Sequence, residues 1–304
     1  MADAIRVSVP ATTANLGPGF DCLGAALTRY NRFDFAVADI PLSIQVTGAE
    51  QDRVTTDRSN LVYQAFCHLF QRLDRPVPPV HIQIELGVPL ARGLGSSSTA
   101  IVGGLLGANA LAGEPFSTEE LAVIATDIEG HPDNVVPALL GGCQLAVIDD
   151  QKKITLCPLP WHDSIVPVVA IPAFEISTAE ARRVLPQDYS RADAIYNSAH
   201  LGLLLRAFNT GKGDWLRTAL GDRIHVPYRK TLIPGYEAVV EAAISAGAYG
   251  VTISGAGPTL LALTNAEHAV TVAAAMQQAW THLGITVVAA EVLAIDTQGA
   301  MVES

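Results

Sequence analysis

The 304-residue chain has few charged residues, few aromatics, only four cysteines and no excess of basic side chains. Each shortage excludes something. A net charge of −11 argues against a nucleic-acid partner or an anionic membrane surface, and leaves room only for a local basic pocket that takes a small anion. Cys22, Cys67, Cys143 and Cys157 show neither close pairing nor metal-ligand spacing, so they read as reduced, small apolar residues. No apolar run reaches membrane-spanning length, and the opening Met1–Val7 segment lacks the apolar stretch of a secretory signal; the expectation is a cytoplasmic protein. With 49% hydrophobic residues the chain can build a substantial core without metal or disulfide staples, as one large or two medium domains.

What is present is organised around Pro89–Ala100. The alternation of Val80, Ile82, Ile84 and Leu86 predicts a strand before it, and the small, apolar run Ala100–Ala108 predicts a buried helix after it. Strand, glycine turn, hydroxyl cluster and helix start are the parts of a phosphate cradle. Glycines let backbone N–H groups converge on an anion, a helix start adds partial positive charge, and serine hydroxyls donate to phosphate or ligate Mg²⁺. The plain alternative is a flexible Gly/Ser turn capping an ordinary helix. A Walker loop is excluded because no Lys follows Gly95, and a dinucleotide fingerprint fails because Ser98 stands where its third glycine belongs.

Along the chain, Ile5–Val9 predicts a first strand closed by Pro10. Gly17-Pro18-Gly19 makes a tight turn with Asn15 and Asp21 on either side; either they serve the turn alone, or they bring an amide and a carboxylate together at a loop tip. Strands are expected over 32–38 and 42–47, and a helix over 61–73 with Ser59-Asn60 as its cap. Ser117 and Glu120, at capping-box spacing, open the next helix. It ends in Glu129-Gly130-His131-Pro132-Asp133-Asn134. A helix stop and restart accounts for Gly130, Pro132 and Asp133 but leaves Glu129, His131 and Asn134 unexplained. A strand over 141–148 leads to a hairpin turn at 149–154, and composition shifts at Pro158-Leu159-Pro160, where we place the boundary between domains 1–158 and 159–304. The second half predicts strands near 165–171, 249–254, 259–264 and 285–294, with helices at 178–185, 192–210, 214–220, 234–246 and 268–283. Two extra helices aside, that is the β-α-β-β-α-β order of a ferredoxin-like domain.

Three motifs in fixed order, Pro10–Asp21, Pro89–Ala100 and Ile253–Leu260, resemble the GHMP kinase superfamily over almost the whole chain. Asn15–Asp21, Glu129–Asn134, Ala181–Pro186 and Pro227-Tyr228-Arg229 are similar to the homoserine kinases within it. The resemblance implies an α+β, two-domain GHMP kinase fold, with an N-terminal ribosomal-protein-S5-domain-2-like domain and a C-terminal ferredoxin-like one. It implies a transferase that uses ATP and Mg²⁺ to phosphorylate the side-chain hydroxyl of L-homoserine, in threonine biosynthesis.

The same resemblance puts Gly93, Leu94, Gly95, Ser96, Ser97, Ser98 and Thr99 around the triphosphate, with Pro89, Leu90, Ala91 and Arg92 also in the nucleotide site and Asn60 at the adenine. Gly255 and Gly257 close the site, and Glu129 holds Mg²⁺ with Ser97, or with Ser96. Arg92 either offsets phosphate charge or faces solvent. On the substrate side, Arg182 and Arg229 clamp the carboxylate by planar forks, Asp133 takes the ammonium, and Asn15, Asp21, His131 and Asn134 orient the hydroxyl end. Arg183 is the alternative to Arg182, since adjacent helical residues point about 100° apart. Catalytic roles fall to Asn134, Asp21 and Arg182. Asn134 stands where some relatives carry an aspartate base, so transfer runs either without a base or with Asp21. A mevalonate-type or sugar kinase and a non-catalytic nucleotide-binding regulator are the competing readings; mevalonate has no ammonium for Asp133. Exposed apolar strand edges in the second half suit a homodimer, as in relatives.

Overall fold

The computed structural model describes residues 4–303. Its first sheet grows from a long antiparallel pair, β1 (Ile5–Ala14) and β2 (Leu23–Val37). β1 does not stop at Pro10. The ladder shifts register between Pro10 and Ala11 instead, which accommodates a residue that has no N–H to donate. β2 starts well before the expected Arg32 because Leu23–Leu27 is buried on both faces, which erases the alternation that marks a half-buried strand. β3 (Leu42–Thr47) follows, then α1 (Leu61–Arg72) and β4 (Val80–Glu85), with α1 as the crossover of a parallel β3–β4 pair. Asn60 caps α1, its Oδ1 accepting from the Val62 and Tyr63 N–H groups.

Next come α2 (Ser96–Leu111), α3 (Thr118–Glu129), α4 (Pro132–Leu140), β5 (Cys143–Ile148) and β6 (Ile154–Leu159). The Ser117/Glu120 capping box is present, and Gly130 ends α3 in the left-handed conformation. β5 pairs with the start of β2, and β6 pairs with β5. α2 is apolar all round and lies deep. A Cβ on Gly103 or Gly107 would strike the Phe33 or Phe35 ring, and one on Gly104 would strike the Val62 carbonyl, so these glycines let the helix seat itself between the sheet and α1.

The second half runs β7 (Val166–Pro172), α5 (Thr178–Arg183), α6 (Arg191–Thr210), α7 (Gly213–Ala219), α8 (Val226–Arg229), α9 (Tyr236–Ser245), β8 (Gly250–Ile253), β9 (Leu260–Thr264), α10 (Ala269–His282), β10 (Val287–Val292) and β11 (Met301–Glu303). Its four strands stand in the antiparallel order β10-β7-β9-β8, the ferredoxin-like arrangement, with α9 and α10 packed on one face around Trp280 and Met276. On the other face, Phe208, Leu216 and Leu261 share a core with Leu16, Leu27 and Leu94 of the first half, so apolar packing joins the two sheets. β11 returns to pair with β1, and Ile295 bridges Leu27. The end of the chain, grouped with domain 159–304 on sequence, therefore lies on the first sheet. Among the described residues, no helix is long and apolar enough to cross a membrane.

Two glycine substitutions separate packing from propensity. Gly104→Ala should destabilise the chain by about 1–3 kcal/mol through overpacking. Gly202→Ala, on α6 with open space around it, should gain up to about 1 kcal/mol of helix propensity. Denaturant midpoints check both, and shifts of the same sign would count against the packing account.

Candidate active site

The three sequence motifs meet in space. The Thr12 N–H donates to the Leu94 carbonyl (3.1 Å), and Gly255 N–H donates to Ala14 O (3.1 Å). Ser254 Oγ lies 2.6 Å from the Gly93 carbonyl and 2.9 Å from Thr13 Oγ1. Asn15 Nδ2 donates to Gly255 O (2.9 Å) while its Oδ1 accepts from the Asp21 N–H (3.0 Å). Asn15 thus serves its own turn and ties that turn to the third motif. Above this junction lies a cavity of about 550 Å³ lined from both halves of the chain.

One end of the cavity is made by the glycine loop. Gly95, in left-handed conformation at the N-cap of α2, has no side chain to cap the helix, which leaves first-turn N–H groups for an incoming anion. Glu129, at the end of α3, accepts from Ser97 Oγ (2.9 Å) and Ser98 Oγ (3.0 Å) at the same Oε1. Leu90, Ala91, Arg92, Gly93, Gly95, Ser96 and Ser97 line the cavity, as does Asn60, while Pro89, Leu94, Ser98 and Thr99 do not. Leu94 points into the shared core, and Thr99 is buried under the loop, where its Oγ1 accepts from Asn31 Nδ2 (2.7 Å). Gly255 lines the cavity; Gly257 stands behind it.

Arg92 does not face solvent: it is buried on the lining of the cavity. Its guanidinium donates to Glu50 Oε1 (2.9 Å), Leu90 O (2.6 Å), Pro172 O (3.1 Å) and Ala173 O (2.8 Å). Its charge is already matched by Glu50 and Glu175, so it acts as a strut between the loop and the end of β7. Burial favours a neutral Glu50, but the Leu90 N–H, Arg92 and Arg53 outweigh it and hold that carboxyl below its usual value.

The other end is a cup of opposite charges. Arg182, from α5, makes a two-pronged pair with Asp21, with both contacts at 2.9 Å. Arg182 lines the cavity and Arg183 does not. Arg229, buried at the end of α8, donates to Ala181 O (3.1 Å) and Gly255 O (2.9 Å). Burial lowers its pKa and Asp21 and Asp133 counter the effect; an arginine stays charged regardless. Facing the arginines, Asp133 is buried at the first turn of α4, with His131 Nδ1 2.5 Å from its Oδ1. Burial opposes charge on His131, yet Asp133, with Glu129 and Asp21 nearby, prevails and raises its pKa above the ordinary value. The neighbouring Cys22 thiol registers the same field: burial, Asp133 and Asp21 push it up to about 11. Asn134 sits between the two ends, its Oδ1 accepting from Thr12 Oγ1 (2.8 Å) and its Nδ2 3.5 Å from Asp133.

Sequence reasoning missed Phe20, over whose ring both guanidiniums lie, and Glu50 with Glu175, which neutralise Arg92. Phe20 stands inside a motif already singled out. The glutamates carry no local signal, because their partners come from distant parts of the chain.

Comparison with known proteins gives a consistent result. The GHMP kinases N terminal domain matches residues 60–142, and the GHMP kinases C terminal domain matches residues 204–282. The chain is 62% identical to the homoserine kinase of Trichormus variabilis over 301 residues, covering 99% of both chains. It is 57% identical to that of a Synechococcus strain over 300 residues, covering 98% of both. Among solved structures, the homoserine kinase of Cytophaga hutchinsonii superposes with a TM-score of 0.90 at 29% identity, over 100% of this chain and 98% of that one. The phosphomevalonate kinase of Streptococcus pneumoniae shares the fold, with a TM-score of 0.70 at 15% identity over 95% of this chain and 99% of that one.

The His131–Asp133 pair gives a pH signature. Its raised pKa means the protonated imidazole stabilises the folded chain fully below the ordinary histidine value, near pH 6.5, and that this contribution fades as pH rises through the folded value. The melting-temperature gap between wild type and His131→Gln should therefore be wider at about pH 6 than at about pH 9. A gap that stays constant would count against the charged pair.

Proposed function

We infer that this chain, which belongs to the GHMP kinases and among them to the homoserine kinases, transfers the γ-phosphoryl group of ATP to the side-chain hydroxyl of L-homoserine. The observation that carries the reading is the adjacency of an uncapped helix start and a cup holding two guanidiniums and two carboxylates within one cavity. An α-amino acid is the ligand class whose charges match that cup. Its carboxylate suits Arg182 and Arg229, and its ammonium suits Asp133. A substrate without an amine would leave the buried Asp133 with contacts at Oδ1 alone, from His131 and Asn134, which is costly in a desolvated site.

Phosphoryl transfer depends on alignment and charge neutralisation more than on covalent help. The loop N–H groups of Gly93–Ser97 hold the phosphates, and the Asn134 amide, between loop and cup, orients the acceptor hydroxyl. The Ser97 hydroxyl and the Glu129 carboxylate, 2.9 Å apart on the cavity lining, are hard oxygen donors that fit Mg²⁺, and the buried Ser98 hydroxyl fixes the carboxylate from behind. When bound there, the ion supplies positive charge beside the transferring group. Asn134 has no basic atom to take the hydroxyl proton, and both Asp21 oxygens are engaged by Arg182, which favours transfer without a dedicated base. The reading also places the enzyme in threonine biosynthesis and in the cytoplasm. Val288 and Val292, exposed on the edge strand β10, support a homodimer.

ADP release from MgATP, measured against L-homoserine, L-threonine, L-serine, mevalonate and galactose, tests the assignment. Turnover should require L-homoserine, and Arg182→Ala or Arg229→Ala should raise its KM by about 10- to 100-fold, the worth of a charge-assisted contact. Turnover on a carboxylate without an amine would discard the substrate. Glu129→Gln should raise the Mg²⁺ concentration needed for half-maximal rate; an unchanged Mg²⁺ dependence would remove Glu129 from the metal site. In pH–rate profiles, Asp21→Asn should weaken homoserine binding more than turnover, and a collapse of kcat at unchanged KM would make Asp21 the base.

A further inference from the structure

The two arginines of the cup are not held by charge alone. Phe20, next to Asp21 in the Gly-Pro-Gly turn, has the Arg229 guanidinium 5.0 Å from its ring centre and that of Arg182 at 5.8 Å. Its ring stacks on His225, with centroids 5.3 Å apart and planes 26° from parallel. Neither ring lines the cavity; both stand behind the groups that do. His225 and Arg229 are four residues apart on α8 and its N-cap, so they share one face of that turn.

The surroundings of this stack are built to fix it. The His225 side chain is fully buried, and its Nε2 donates to the Gly17 carbonyl (3.0 Å). Burial lowers its pKa against the pull of Asp222, so the ring is neutral and Nδ1 is the atom left without a partner. Asp222 accepts from the N–H groups of Ile224 (3.1 Å), His225 (2.8 Å) and Val226 (2.7 Å). Asn197, from α6, donates to Asp222 (2.8 Å) and accepts from the Arg223 N–H (2.8 Å). On the other side, the turn bearing Phe20 places Asn15, Leu16 and Asp21 at positive φ, a conformation non-glycine residues keep only when their surroundings enforce it.

We propose that Phe20 and His225 are positioning residues for the substrate clamp: the stacked rings set the spacing and direction of Arg182 and Arg229 and lock the Asn15–Asp21 turn to α8. This rests on the reading of the two arginines as the carboxylate clamp. The rings touch neither nucleotide nor reacting atoms, so their effect is on homoserine binding alone. Each guanidinium keeps its charge without the platform but loses the face that orients it, and Arg182 is free to swing with Asp21.

The test is steady-state kinetics with ADP affinity measured alongside. Phe20→Leu keeps the apolar volume and removes the π face; it should raise the homoserine KM about tenfold, the scale of a desolvated cation–π contact, with kcat and the ADP Kd within about twofold. Phe20→Tyr should restore most of the affinity. His225→Gln keeps a donor for Gly17 O without a ring; it should move the homoserine KM in the same direction, and it supplies the readout if Phe20→Leu does not fold. An unchanged homoserine KM in these variants overturns the proposal, and so does a parallel loss of ADP affinity, which would mark the rings as general core. Arg229→Ala is the control on the underlying reading. If it leaves the homoserine KM unchanged, the clamp assignment fails; if it raises KM while the ring variants do not, only the platform fails.

Discussion

The carbonyl of Gly255 is the point on which the site turns. It accepts Asn15 Nδ2 from the first motif and Arg229 Nη1 from α8, both at 2.9 Å, while the Gly255 N–H reaches Ala14. A carbonyl with two lone pairs directed at two donors is fully used, and it fixes both donors relative to one peptide. One donor belongs to the turn that carries Asp21, and the other is an arginine of the charged cup. Ser254, one residue earlier, lies against the Gly93 carbonyl of the phosphate loop. Two consecutive residues thus hold the charged cup and the glycine loop in one register, and shared apolar packing around Leu16, Leu94 and Leu261 backs them from below.

Charge is handled locally in a chain whose total is strongly negative. Arg92, Arg182 and Arg229 each have assigned partners, but of different kinds. Arg92 is consumed by Glu50, Glu175 and three carbonyls, those of Leu90, Pro172 and Ala173, so it is a strut. Arg229 gives two donors to carbonyls, which orient it without neutralising it. Arg182 is neutralised by Asp21, an exposed enough partner for water to compete. The arginines therefore divide by whether the protein supplies a counter-charge, and the one without a direct carboxylate is the one poised to bind a charge from outside.

Much of this was legible in the sequence, for reasons that can be stated residue by residue. The glycine loop, the capping box at Ser117 and the Gly130 stop are local chemistry, and local chemistry survives folding. The strand order of the second half followed from alternation and spacing. Leu23–Leu27 escaped notice because burial on both faces removes period two, and β11 and α8 are too short to show any period. In the candidate site, Asp21, Asp133, Asn134, Arg182, Arg229 and Arg92 line one cavity, but the partners that hold Arg92 come from outside its loop and left no mark in the sequence around it. What one sequence does not reveal is which charges find partners across a distance of 80 or more residues; that is a property of the packed molecule.

The likeness to a phosphomevalonate kinase at 15% identity is one of fold. In this chain that fold brings a glycine loop and a long buried helix to the junction of two sheets. What gives this cavity its opposed charges is side chains alone: Asp133 and His131 at the start of α4, Arg182 on α5, Arg229 on α8. These elements are short, and each is secured by contacts at its ends rather than by its own helical stability, as isolated helices of that length would be marginal. The acceptor cup is therefore the part of the molecule whose geometry depends most on tertiary contacts such as Gly255, Asp222 and the Phe20–His225 stack. The direction of its guanidiniums rests on those contacts, because small displacements of a planar fork lose a two-pronged interaction while leaving the fold and the glycine loop intact.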